Sequence, residues 1–196
     1  MSCDTLPLFP LNAVLFPGGE LGLRIFETRY LDMVRDCTRN DRSFGVCLIL
    51  TGQETGAPAT PAAVGTEARI VDFATTDDGL LAITAQGGRR FRVRRTRVRD
   101  SGLVLGDVDW CASNAGPALL PQHGLLSTLL SRLLDVVDSP HARAANLRLD
   151  DADWVGWRLA ELLPLSDAQR QRLLQDEDPH ARLDRLVEAL PQFQEE

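Results

Sequence analysis

Glu20-Leu-Gly-Leu-Arg-Ile-Phe-Glu-Thr-Arg-Tyr30 decides the reading of the fold, because the hydrophobic period changes inside it. Leu21, Leu23 and Ile25 alternate with polar or small residues, the pattern of a half-buried strand. From Tyr30 onward the spacing turns helical. Tyr30, Leu31, Val34 and Cys37 share one face, and Asp32, Arg35, Asp36 and Arg39 take the other. The corner at residues 26–29 is therefore a strand-to-helix junction. Phe26 stands where a hydrophobic staple would fix the helix start onto the core. Phe16-Pro-Gly-Gly19, just before the strand, reads as a turn.

Outward from this junction the chain continues as strands. Residues 44–50 form an apolar run whose length suits a buried strand. Residues 51–65, rich in Gly, Ala, Pro and Thr, read as a mobile loop. Strands follow at 66–73, 80–86 and 89–99, with Asp77-Asp78-Gly79 and Gly87-Gly88 supplying hairpin turns. The pattern changes around residues 111–117, and everything after it reads as helix. Leu125, Leu126, Leu129, Leu130, Leu133, Leu134 and Val137 make one broad apolar face, each worth ~1.5–3 kcal/mol on burial. Asp150 or Asp151 caps a helix carrying Trp154, Val155, Leu159, Leu162 and Leu163, which Pro164 ends. Ser166 with Gln169 forms a capping-box pattern, and Asp178-Pro179 an N-cap with proline at the first helical position. Leu183, Leu186, Val187 and Leu190 stripe the last helix. Ser139-Pro-His-Ala-Arg143 echoes Asp178-Pro-His-Ala-Arg182 as a second helix start. The expected class is α+β, with a β-rich subdomain at residues 1–112 and a helical bundle at 113–196.

Composition excludes several chemistries. All 21 basic residues are arginine, so a Walker A loop, a serine–lysine dyad and a Schiff-base lysine have no residue to build on. Residues 1–110 carry 13 Arg against 14 acids (13 − 14 = −1), and residues 111–196 carry 8 against 14 (8 − 14 = −6). An acidic second half argues against wrapping a nucleic acid over the whole surface. The four cysteines, at 3, 37, 47 and 111, have no C-x-x-C spacing, and Cys37 and Cys47 read as small core residues. No H-E-x-x-H, G-x-S-x-G or acidic metal box occurs, so neither a cofactor nor a metal nor a catalytic residue is expected. The start has no basic n-region, and no stretch reaches the ~20 apolar residues of a membrane span. A cytoplasmic, membrane-free chain with reduced thiols is expected.

Several stretches, taken in order, resemble one family. They are Leu6-Pro-Leu-Phe-Pro-Leu11, Val14-Leu-Phe-Pro-Gly18, Leu23-Arg-Ile-Phe-Glu-Thr-Arg-Tyr30, Phe44-Gly-Val-Cys47, Val64-Gly-Thr66 with Ala68-Arg-Ile70, Arg89-Arg-Phe-Arg-Val93, Leu159-Ala-Glu-Leu-Leu-Pro164 and Gln171-Arg-Leu-Leu174. Together they are similar to the N-terminal, substrate-recognition (LON) domain of Lon-type ATP-dependent proteases, over roughly residues 5–190. The resemblance implies a PUA-like β-rich module followed by a helical bundle. It also implies a stand-alone domain without ATPase and peptidase parts, with a role in capturing polypeptide. At Val155-Gly-Trp-Arg158 the chain departs from the small polar pair frequent in the family.

Two candidate surfaces follow. Phe26, Glu27, Arg29 and Tyr30 read either as a packed corner, with Phe26 and Tyr30 in the core, or as one wall of a peptide-binding groove. In the first reading Glu27 lies near the positive end of the helix dipole and Arg29 pairs with a carboxylate. Residues 89–99 hold seven arginines. Phe91 and Val93 point inward, Arg90, Arg92 and Arg94 share the outer face, and Arg95 breaks the alternation, which calls for a bulge. This stripe reads as a charged edge or as an anion-binding rim. The expected function is non-catalytic recognition of unfolded polypeptide or a partner protein. The competing reading is an RNA- or nucleotide-binding PUA-like protein that uses the 89–99 stripe.

Overall fold

A computed structural model describes residues 4–112, 116–137 and 148–193. The chain divides into two compact units, Met1–Ser113 and Asn114–Glu196. The first is built from β1 (Asp4–Leu11), β2 (Glu20–Ile25), α1 (Thr28–Arg39), β3 (Phe44–Thr51), β4 (Thr60–Pro61), β5 (Val64–Thr75), β6 (Leu81–Val98) and β7 (Val104–Trp110). Its strands run in the order β1-β7-β6-β5-β3-β4, and β1 also pairs in parallel with β3, so the mixed sheet closes on itself.

Two apolar clusters lie on opposite faces of the closed sheet, as strand alternation requires. Leu6, Leu8, Cys47, Phe91, Val104 and Val108 form one. Phe9, Leu11, Leu23, Ile25, Phe44, Val46, Ile83 and Leu105 form the other, together with Tyr30, Met33, Val34 and Cys37 of α1. The first cluster is tight because glycine faces its largest ring. A Cβ on Gly45 would lie 2.5 Å from Phe91 Cζ, and one on Gly65 2.7 Å from the same atom.

β6 departs from the sequence expectation. It runs unbroken through Gly87-Gly88, where a hairpin turn was expected. Instead the turn at residues 16–19 packs onto these glycines: the Gly18 N–H donates to Gly87 O and the Gly87 N–H to Gly19 O, both at 2.8 Å. This is where β6 changes partners. Its first half pairs with β2, and its second half, from Phe91, pairs with β7. The expected loop at 51–65 is also tied down. It contains β4, buries Ala59 and Ala62, and bonds the Ala62 N–H to Leu48 O at 2.7 Å.

The second unit holds α2 (Gly124–Val136), α3 (Ala152–Leu162), α4 (Asp167–Gln175) and α5 (Pro179–Ala189), with α3 packed on each of the other three. The caps fall where the sequence puts them. Asp151 accepts from the Trp154 N–H, Ser166 and Gln169 form a reciprocal capping box, and Asp178 accepts from the His180 N–H. The apolar faces are narrower than expected. Leu126, Leu130 and Leu134 are buried, but Leu125 is 81% exposed and Val187 43%. Part of the interior is filled by Arg182. Its guanidinium lies 3.3 Å from the Trp157 ring centroid, pairs with Asp153 at 2.7 Å and donates to Asp176 O at 2.8 Å. The Ser139–Arg143 echo and residues 113–115 of the expected boundary lie outside the described residues.

Candidate functional site

The strand-to-helix corner separates its four residues by environment. Glu27 is the N-cap of α1 with extended backbone, and its carbonyl accepts from the Tyr30 and Leu31 N–H groups at 3.0 Å. Its carboxylate makes no cap bond. It pairs with Arg29 at 2.9 Å instead. Arg29 is buried, donates to Gly102 O at 3.2 Å and lies 4.8 Å from the Tyr30 ring centroid. It fastens the helix start to the β6–β7 turn. Tyr30 is buried, with its ring stacked on Phe9 at 3.9 Å, and burial raises its hydroxyl pKa. Phe26 is not in the core. It is 54% exposed, so the expected staple is absent. The reason lies in the strand: Leu23 and Ile25 fill the inward positions, and alternation sends the next side chain outward.

Beside this corner lies a groove of about 370 Å³. Phe9, Leu11 and Ala13 line one side, residues 21–27 the other, and Tyr30 contributes from α1. Glu54 and Thr55 come from the β3–β4 connection, which is held in place by the Asn12 N–H donating to Glu54 Oε1 at 2.6 Å. Phe26, Glu27 and Tyr30 therefore meet in the groove, and Arg29 lies behind it. Sequence reading missed Phe9, Leu11 and Glu54 as neighbours of the corner. Only long-range pairing brings them there.

The outer arginines are elsewhere. None of Arg90, Arg92 and Arg94 lines the groove, whose own arginine is Arg24, paired with Asp78 at 2.5 Å. The stripe instead faces acids of β7. Arg92 stands opposite Asp109 in register, Arg94 pairs with Asp109, and Arg97 pairs with Asp107 at 3.7 Å. The register shifts between Val93 and Arg95, as the broken alternation requires. Arg89, Arg97 and Arg99 line a second, polar cleft of about 860 Å³. There the buried Glu67 accepts from Ser43 Oγ at 2.7 Å and pairs with Arg89 at 3.6 Å. The Arg89 guanidinium lies 3.9 Å from the Trp110 ring centroid. Among the described residues no cluster of three His, Cys, Asp or Glu side chains is arranged to hold a metal. Among them too, no helix is long and apolar enough to cross a membrane.

A closed mixed sheet with a single helix at its second strand, followed by a helical unit, is the architecture of a Lon N-terminal substrate-binding domain. The chain belongs to that family: the model of the ATP-dependent protease La (LON) substrate-binding domain matches residues 5–192. A solved relative, the Lon N-terminal domain protein from Xanthomonas campestris, is 55% identical, superposes with a TM-score of 0.80, and is matched over 94% of this chain and 97% of its own. The N-terminal domain of Mycobacterium avium complex Lon protease shares the fold at 16% identity and a TM-score of 0.69, over 94% of this chain and 97% of that one. Lon protease 2 of Myxococcus xanthus is 26% identical over 95% of this chain and 23% of its own length. Protein cereblon of Gallus gallus is 27% identical over 71% of this chain and 29% of its own. The chain thus spans less than a third of the curated relatives it matches.

Proposed function

We propose that this chain is a non-catalytic polypeptide-recognition module whose binding site is the groove beside Phe26. In this reading residues 1–112 form a PUA-like recognition subdomain, and residues 113–196 form a helical-bundle subdomain. The observation that carries it is the half-exposed Phe26 ring at the edge of a groove lined by Phe9, Leu11, Leu21 and Tyr30. Water contact with an aromatic ring is unfavourable, so a ligand that covers Phe26 together with the apolar lining of the groove is stabilised by that burial. With no lysine in these 196 residues, neither an ATPase Walker lysine nor a Ser–Lys dyad is available for turnover. Free thiols at Cys37, Cys47 and Cys111 fit a reducing, cytoplasmic setting.

The test is an array of overlapping octapeptides from denatured casein, probed with the purified chain at two salt concentrations. Apolar capture holds its strength, or gains, between ~50 and ~200 mM salt. Phosphate recognition by Arg90, Arg92 and Arg94 would bind RNA instead and weaken about 20- to 40-fold for three contacts over that range. Absence of any bound peptide, or RNA binding abolished by replacing those three arginines, overturns the proposal. So does ATP or casein hydrolysis that a point substitution in this chain removes.

A further inference from the structure

We infer that the groove receives its ligand as an added β-strand on the free edge of β2: an extended segment with apolar residues at alternate positions and a basic residue that meets Glu54. This rests on the polypeptide-recognition reading above and specifies the form in which the polypeptide binds.

β2 has a partner on one side only. Among the described residues it pairs with β6, from Glu20↔Gln86 to Ile25↔Leu81, and with no other strand. The Gly87 N–H bond to Gly19 O sets the phase of that ladder. In an antiparallel pair, hydrogen-bonded and non-bonded positions alternate. The backbone groups of Leu21, Leu23 and Ile25 therefore serve β6, and those of Glu20, Gly22 and Arg24 point away from it. Among the described residues, none of these three outward N–H or C=O groups has a hydrogen-bond partner beyond the ladder. A strand edge of this kind is a template for another strand.

The edge lies along the groove, since residues 21–27 line it without a break. At the middle of the edge Gly22 is exposed, and a Cβ built on it would meet nothing within 4 Å, so the sheet face there is open and a substitution at Gly22 clashes with nothing. Side chains of the added strand that share the face of Leu21 and Leu23 would lie over the Phe9 and Leu11 side of the groove, and those between them would share the outer face of Gly22 and Arg24. That is the origin of the alternation demanded of the ligand. Charge sets one further requirement. Glu27 is neutralised by Arg29, and Arg24 by Asp78. Among the described residues Glu54 has the Asn12 N–H as its one hydrogen-bond partner and no cation paired with it, and this half-buried carboxylate lines the groove. An arginine or lysine in the ligand supplies that cation.

The experiment uses the full chain and the strongest-binding casein octapeptide from the array, fluorescein-labelled, with each backbone nitrogen methylated in turn. Strand addition predicts a period of two: methylation at every second residue weakens binding about tenfold or more, and the intervening positions change it less than about twofold. On the protein, Gly22→Pro removes an outward N–H without touching the β6 ladder, and edge strands tolerate proline. It should weaken the same peptide about tenfold with an unchanged melting temperature. A flat methylation scan overturns strand addition; if Phe26→Ala still weakens that peptide, groove capture survives. If no array peptide binds, both fall. A dimer of this chain that forms through β2 and is dissociated by Gly22→Pro, with no peptide bound, overturns the proposal in favour of self-pairing.

Discussion

Replacing Phe26 with alanine should separate recognition from folding. Phe26 is 54% exposed, so just under half of its side chain is already covered by the fold. Full burial of a phenylalanine side chain is worth ~1.5–3 kcal/mol, which divides into about 0.7–1.4 kcal/mol already contributed to stability and about 0.8–1.6 kcal/mol available to a ligand. The second share corresponds to a roughly 4- to 15-fold rise in Kd. Titration of a labelled array peptide followed by fluorescence anisotropy measures it, and urea denaturation of the same sample measures the first share. The expected result is a clear affinity loss with a cooperative transition shifted by about 1 kcal/mol. Unchanged affinity would refute the placing of Phe26 at the binding surface. A stability loss of about 3 kcal/mol or more would show the ring to be a core residue, as the staple expectation had it.

The other predictions concern what lies behind the groove. Arg29→Met leaves the largely buried Glu27 carboxylate without its cation and should cost about 3 kcal/mol in urea denaturation; a loss under about 1 kcal/mol would contradict the fastening role. Gly65→Ala places a methyl 2.5 Å from Val46 O and 2.7 Å from Phe91 Cζ, and should destabilise by ~1–3 kcal/mol, with partial recovery in combination with Phe91→Leu. Burial pushes the Cys37 thiol up to about 11 and, more strongly, the Cys47 thiol up to about 12. Unfolded thiols ionise near pH 9, so the native state holds more protons above that pH and stability falls as pH rises. At pH 10 each thiol should cost about 1.4 kcal/mol relative to pH 8, and the pH dependence of the melting temperature should flatten in Cys37→Ala/Cys47→Ala.

Local signals in the sequence carried the elements and their ends. The change of period after Ile25, the Asp151 and Asp178 caps and the Ser166–Gln169 box depend on residues within a turn of each other, and each is where the pattern puts it. The misreadings came from long-range partners. Gly87-Gly88 looks like a hairpin turn until the 16–19 turn is seen packed onto it. Alternation gave the outer face of Arg90, Arg92 and Arg94, but not that β7 would set Asp107 and Asp109 beside the stripe or that the groove would form elsewhere. Phe26 was legible as part of a special corner. Its exposure depended on Leu23 and Ile25 filling the inward positions. Five of the thirteen residues that line the groove, Phe9, Leu11, Ala13, Glu54 and Thr55, come from segments whose nearness to the corner no local pattern encodes.

Backbone amide NMR spectra of the chain, recorded while an array-selected casein octapeptide is titrated in, test the groove most directly. The largest shift changes should fall on residues 21–27, on Leu11 and Ala13, and on Glu54 and Thr55, with β6 from Arg89 to Val98 little affected. Changes centred on Arg90, Arg92 and Arg94, with residues 21–27 unmoved, would contradict the groove as the binding site.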